Sequence, residues 1–317
     1  MSDCKVRTEK IRLTADTDRT LKASFMTHLS RGRKVFALAY AILLVACFGT
    51  SLIRLLIYSA GTTLHSHILL IPLISGYLLL LNGKDLPKNT TTSASWAIPF
   101  FTLGAAAILA LGFFSGGLSR NDSLGLVTFS FLCFLYAGGF LVLGREWMRT
   151  LAFPAAFLLF MIPLPDSVAD WLETASKIAS AEVSAFFFNI TGIPVFREGL
   201  VFQMPGIVLE VAQECSGIRS SWVLFITSLL ASYLFLQSAW RRTFLVLFVL
   251  PLGVIRNAFR ILVIALLCVH IGPEMINSAV HRRGGPLFFA LSLIPLFILM
   301  WWLRRGDRGH NLNRHRE

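Results

Sequence analysis

Three side chains in this 317-residue chain have types suited to covalent catalysis: Cys215, Arg260 and His281. Cys215 stands in EVAQECSGIRSS (210–221), just ahead of an apolar run. Amides at a helix N-terminus favour negative charge and lower a thiol pKa from about 8.5, raising the thiolate fraction. Arg219, one turn on, adds to this, and Gly217 with the nearby serines permits close approach of backbone or substrate. A buried structural thiol is the alternative, and the chemistry of this stretch alone leaves both open. Arg256, Asn257 and Arg260 fall inside the apolar run PLGVIRNAFRILVI (251–264). A central Arg costs about 2.5–3.5 kcal/mol on insertion scales, so two of them mark a site or a charge-paired interior. Their spacing of four puts both on one helix face. His281 opens HRRGGPLFF (281–289); on its own it reads as a solvated loop residue. Glu210 and Glu214 flank the cysteine and could orient His281 or Arg219, although a solvated hairpin edge accounts for each of them.

The elements that must position these groups are membrane helices. The chain is 55% hydrophobic and only 15% charged, with 27 Phe, against about 25% charged residues in soluble domains. That excludes a water-soluble enzyme, a disordered chain and a disulfide scaffold; the five scattered cysteines form no CxxC pair. Apolar runs predict eight spans, near 35–58, 64–81, 96–116, 124–143, 150–164, 216–238, 243–270 and 286–303. The expected fold is an all-α polytopic bundle: a basic cytoplasmic tail (1–34), one catalytic transmembrane domain (35–303) and a second basic tail (304–317). Residues 164–215 form the long outer segment. Asp166, Asp170, Glu173 and Lys177 on one face predict an amphipathic helix lying on the membrane surface. Glu198-Gly199 and Pro205-Gly206 break the following β-rich runs into a small hairpin or meander.

The net charge of +12 tracks topology rather than a nucleic-acid partner. Eight spans place 20 Lys/Arg on one side and five on the other, with four at or within spans. By the positive-inside rule both termini are cytoplasmic. In that arrangement Cys215 and His281 meet at the outer membrane face, with Arg260 in the outer half of the span between. Nucleophile, base and oxyanion stabiliser then converge at one level.

At these residues the sequence resembles the exosortase/archaeosortase family of membrane cysteine transpeptidases. Cys-Ser-Gly-Ile-Arg-Ser (215–220), Asn-x-x-Arg-Ile (257–261) and His281 with Gly285 follow in the family's order, and HSHILLIPLISGYLLLL (65–81) resembles its early span. The resemblance implies Cys215, Arg260 and His281 as the catalytic set, with Arg256 outside the pattern. It implies substrates that are secreted proteins carrying a C-terminal tail: a short motif such as Pro-Glu-Pro, one transmembrane helix and a basic cluster. The tail is cut near the motif and the new C-terminus passed to an acceptor nucleophile, in bacteria alongside exopolysaccharide production. Membrane lipid is the other partner; no nucleic acid, metal or organic cofactor is implied. The residues themselves also admit rivals. A transporter would use Arg256 and Arg260 for an anionic substrate but leaves Cys215 without a task. A serine peptidase lacks a GxSxG elbow, and a metallopeptidase lacks HExxH, with His65 and His67 only a weak metal pair. A non-enzymatic export scaffold would tolerate loss of all three candidate residues.

Overall fold

The computed structural model describes residues 31–314 apart from 63, 88–90, 115, 193, 206, 212–216 and 278–283. Six helices are long and apolar enough to cross a membrane, or seven if one bent pair counts as a single span. They are α1 (Arg31–Gly61), α3 (Ala94–Phe114), α4 (Arg120–Val142), α8 (Ile218–Phe235), α9 (Ala239–His270) and α10 (Gly285–Arg314). Between them lie α2 (Ile71–Leu81), α5 (Arg145–Thr150), α6 (Ala152–Phe157) and α7 (Asp166–Thr191). The chain is therefore an all-α polytopic membrane protein, as its composition requires. Its lipid-facing character shows in α1, where Val35, Leu38, Ile42, Val45 and Ile53 are all exposed.

Two of the eight expected spans are not continuous long helices. The run 64–81 is a 3-10 turn (Ser66–Leu69) followed by the 11-residue α2, which starts at Ile71 with Pro72 in its first turn. At about 1.5 Å per residue α2 covers roughly half of the hydrocarbon core. The run 150–164 breaks into α6 and a 3-10 turn (Leu158–Met161), ahead of Pro163 and Pro165. At the other end α10 extends to Arg314, so most of the expected 304–317 tail continues a helix. Residues 1–30 lie outside the described residues.

The chain divides into two compact units, Met1–Asp166 and Ser167–Glu317. In the first, α3 and α4 pack through Gly104, where a Cβ would come within 3.1 Å of Cys133 Cβ. Phe101 sits edge-on to Phe134, and Phe100 stacks on Phe140. Tyr40 of α1 lies over Gly138 and donates to the Phe134 carbonyl at 2.8 Å. Buried hydroxyls close on backbone carbonyls, as a lipid environment demands: Ser130 on Gly104, Ser75 on Pro154, Tyr136 on Ala155.

The second unit is built round α9. One cluster joins its Ile261, Leu262, Ile264, Ala265 and Cys268 to Ala181 and Phe188 of α7 and to the sheet. A second joins Leu245, Val249 and Leu252 to Leu224 of α8 and to Leu296 and Leu303 of α10. The sheet is an antiparallel meander of β1 (Phe196–Glu198), β2 (Val201–Met204) and β3 (Ile207–Glu210), as the turn pairs predict. It is fixed to α7 by an Arg197–Glu182 ion pair at 2.7 Å. The helix predicted from Asp166 to Ile178 is present and runs on to Thr191.

Candidate functional site

Cys215 and His281 lie outside the described residues, in 212–216 and 278–283. What the structure describes is the set of fixed points on either side of each, together with the helix between. Upstream of the cysteine, Val211 is buried and its amide donates to the Leu200 carbonyl at 3.0 Å, ending the meander firmly. Downstream, Gly217 is the N-cap of α8, in the left-handed region at φ 68°. Cys215 thus belongs to a short link strung between a sheet end and a helix start. His281 is bracketed in the same way. A 3-10 turn (Pro273–Asn277) precedes it, and buried Gly284 follows, accepting from the Phe288 amide as α10 begins.

Helix α9 holds the cysteine's downstream fixed point. Arg256 is 6% exposed, and its Nη2 donates to the Gly217 carbonyl at 3.0 Å and to Ser221 Oγ at 3.1 Å. Asn257 is 2% exposed and donates from Nδ2 to Ser180 Oγ of α7 at 3.0 Å. Gly217 has to be glycine. Its φ is one that L side chains rarely adopt, and a Cβ would lie 2.8 Å from Asn257 Oδ1 and 3.1 Å from Arg256 Nη2. Gly253, one turn before Asn257, is equally tight: a Cβ there would sit 2.7 Å from Ser221 Oγ. The start of α10 meets the same stretch of α9, with Phe288 edge-on to Phe259 at 6.3 Å between ring centroids. The fixed points flanking both Cys215 and His281 therefore gather about residues 253–260 of α9.

Of the other candidates, Arg260 is half-buried on α9, one turn after Arg256. Arg219 is exposed in the first turn of α8, and Glu210 is exposed at the end of β3. Arg256, Asn257 and Gly217 are brought together; Arg219 and Glu210 have no printed bond to that node. Two members were not identified as such from the sequence, Ser180 and the Arg256-binding role of Ser221. Ser180 is 77 residues from its partner and nothing in its local sequence marks it. Ser221 was legible only as one of several small residues after the cysteine. Among the described residues no group of three His, Cys, Asp or Glu could hold a metal ion.

Residues 59–298 match the family model described as transmembrane exosortase. The matched segment includes Cys215, the whole Gly217–Arg256–Asn257 node, Arg260 and His281. No curated protein and no solved structure matches the chain.

Proposed function

The chain belongs to the transmembrane exosortase family, and from that premise we propose that it is a membrane cysteine protease and transpeptidase. It acts on secreted proteins that end in a sorting tail of the Pro-Glu-Pro type. The observation that carries this reading is the family match across 59–298, which contains all three candidate catalytic residues in order.

The substrate's single transmembrane helix packs against the bundle, which sets its motif beside Cys215. His281 accepts the thiol proton, and the thiolate attacks the scissile carbonyl. Arg260 faces the developing oxyanion, where a charge-assisted donor in a low-dielectric site contributes several kcal/mol. The leaving segment takes a proton from His281. The Cys215 acyl-enzyme is then resolved by an acceptor nucleophile, or by water. The excess of 20 Lys/Arg over five favours the cytoplasmic membrane with both termini inside, α7 lying on the outer surface and the reaction at the outer face.

The test is the intact mass of a tailed substrate co-expressed with the protein and with Cys215→Ala, Arg260→Ala and His281→Ala, each checked for membrane expression. Loss of the C-terminal helix with wild type alone is the expected result, and any added mass identifies the acceptor. Equal trimming by all four proteins rules out the cysteine mechanism.

A further inference from the structure

The proposed chemistry leaves Arg256 without a task, yet it is the more deeply buried of the two arginines on α9. Its hydrogen bonds go to two neutral oxygens, the Gly217 carbonyl and Ser221 Oγ. Among the described residues no carboxylate lies within ion-pair distance of it, and its Nη1 is buried without a hydrogen-bond partner. A buried guanidinium lacking a counter-charge costs several kcal/mol. Bracing α8 against α9 does not need a full charge, since a neutral amide donor would serve.

The place where it is spent is informative. Ser221 N also donates to the Gly217 carbonyl, at 3.0 Å, so one amino group of Arg256 grips both ends of the first turn of α8. The grip requires glycine at 217, because a Cβ there would meet that same Nη2. Cys215 is two residues upstream. At about 3.8 Å per peptide its Cα is within roughly 8 Å of the Gly217 Cα.

We propose that Arg256 is a positioning residue for the nucleophile: its Nη2 fixes the turn from which Cys215 extends, and its charge is the counter-charge of the Cys215 thiolate. The inference rests on the reading of Cys215 as the nucleophile. The proton leaves Sγ for His281, and no bond forms to Arg256; the cation stabilises the sulfur anion left behind. The other charged groups on the elements packed round this turn are few. Arg260 lies one turn on along α9, Arg219 and Glu210 are exposed, and Glu182 is engaged by Arg197. The sequence adds Glu214, His281, Arg282 and Arg283 in the stretches outside the described residues.

The experiment uses the full chain in lipid nanodiscs, with Cys4, Cys47, Cys133 and Cys268 replaced by Ala. Alkylation of Cys215 by iodoacetamide is followed against pH by intact mass. Three variants are compared: Arg256→Gln, which keeps a donor and loses the charge; Arg256→Lys, which keeps the charge and loses the fork; and Ser221→Ala, which removes one acceptor. Arg256→Gln is expected to move the alkylation midpoint up by about one pH unit, roughly a tenfold slower reaction near neutrality. Arg256→Lys and Ser221→Ala are expected to keep the midpoint while kcat for tail processing falls and KM holds. If Arg256→Gln does not fold, the split between midpoint and kcat in the other two variants carries the test. Wild-type midpoints and wild-type processing in the folded variants would overturn the inference. If those variants are normal while Cys215→Ala is inactive, the inference alone fails; if Cys215→Ala processes tails normally, the cysteine reading fails with it.

Discussion

Polar groups are buried in both units, but they are balanced differently. In the first unit Asn121 donates from Nδ2 to the Leu164 carbonyl at 2.7 Å and to Asp166 Oδ1 at 2.8 Å. The Asp166 amide in turn donates to Asp122 Oδ1 at 3.0 Å. Arg120 lies over the Tyr58 ring beside these carboxylates. Both signs of charge are present, and the network ties the start of α4 to the start of α7. In the second unit the node at Gly217 has a buried guanidinium and only neutral oxygens to receive it. The first arrangement is what a scaffold needs. The second stays unbalanced until an anion forms, which is what a site for a thiolate and an oxyanion needs.

Glycine substitutions break this comparison most sharply. Gly217→Ala strains a left-handed backbone by about 1–3 kcal/mol and drives a Cβ into Asn257 and Arg256. Tail processing should be almost abolished while helix content by circular dichroism persists. Gly199→Ala shares a positive φ, 61°, but opens onto empty space, so it should cost stability and spare most activity. Gly104→Ala tests the other unit. It crowds Cys133 and Phe134 between α3 and α4, so the melting temperature should fall with little change in turnover per folded molecule. Equal turnover in all three would remove the distinction between the regions.

Buried amides come next in size. Asn121→Ala leaves a carbonyl and a carboxylate oxygen short of a donor, and Asn257→Ala leaves Ser180 short of one. Each should lower stability by about 1–3 kcal/mol. Only Asn257→Ala should also slow tail processing, because Asn257 packs on the turn next to Cys215. A Ser180→Ala, Asn257→Ala double-mutant cycle read by thermal melting should give a coupling of about 0.5–3 kcal/mol.

The sequence reveals these regions unequally, for physical reasons. Cys215, Arg260 and His281 stand out because each type is expensive or reactive where it occurs. The meander is legible because Gly199 and Pro205 punctuate it. The break ahead of α2 is hidden, since an apolar count over 65–81 does not register that His65 and His67 are buried in a 3-10 turn before Pro72 starts the helix. Helix α7 is legible as far as Ile178, where its charges thin out; Phe186-Phe187-Phe188 then blurs the amphipathic face. The Ser180–Asn257 bond belongs wholly to the tertiary fold, and no local pattern announces it.

A smaller effect separates the units by pH. His65, in the connection before α2, is 4% exposed and neither ring nitrogen has a hydrogen-bond partner. Burial holds its imidazole below the usual histidine range, with Asp166 opposing. The folded state therefore binds fewer protons than the unfolded state as pH falls below about 6.5. Stability is lost below that pH, and the loss is complete once the lowered folded value is passed. Melting temperatures across the acid range should show this decline in wild type and a flatter profile in His65→Phe. Identical profiles would show that His65 is not the titrating group.

The smallest expected effect lies at the surface of the second unit. Arg197 of β1 pairs with Glu182 of α7 at 2.7 Å, donates from Nε to the Gly199 carbonyl at 2.8 Å and lies over the Phe202 ring. Glu182 is largely exposed, so solvent and salt screen its share of the pair. The arginine's packing does not depend on its charge partner. Glu182→Gln should therefore leave the melting temperature nearly unchanged at high salt and lower it slightly at low salt. Arg197→Ala should cost more at any salt concentration, because it also removes the contacts to Gly199 and Phe202. If Glu182→Gln instead matched Arg197→Ala and also stopped tail processing, the meander would be held over the nucleophile by charge rather than by packing, and the only charge-critical element of the second unit would no longer be the turn at Gly217.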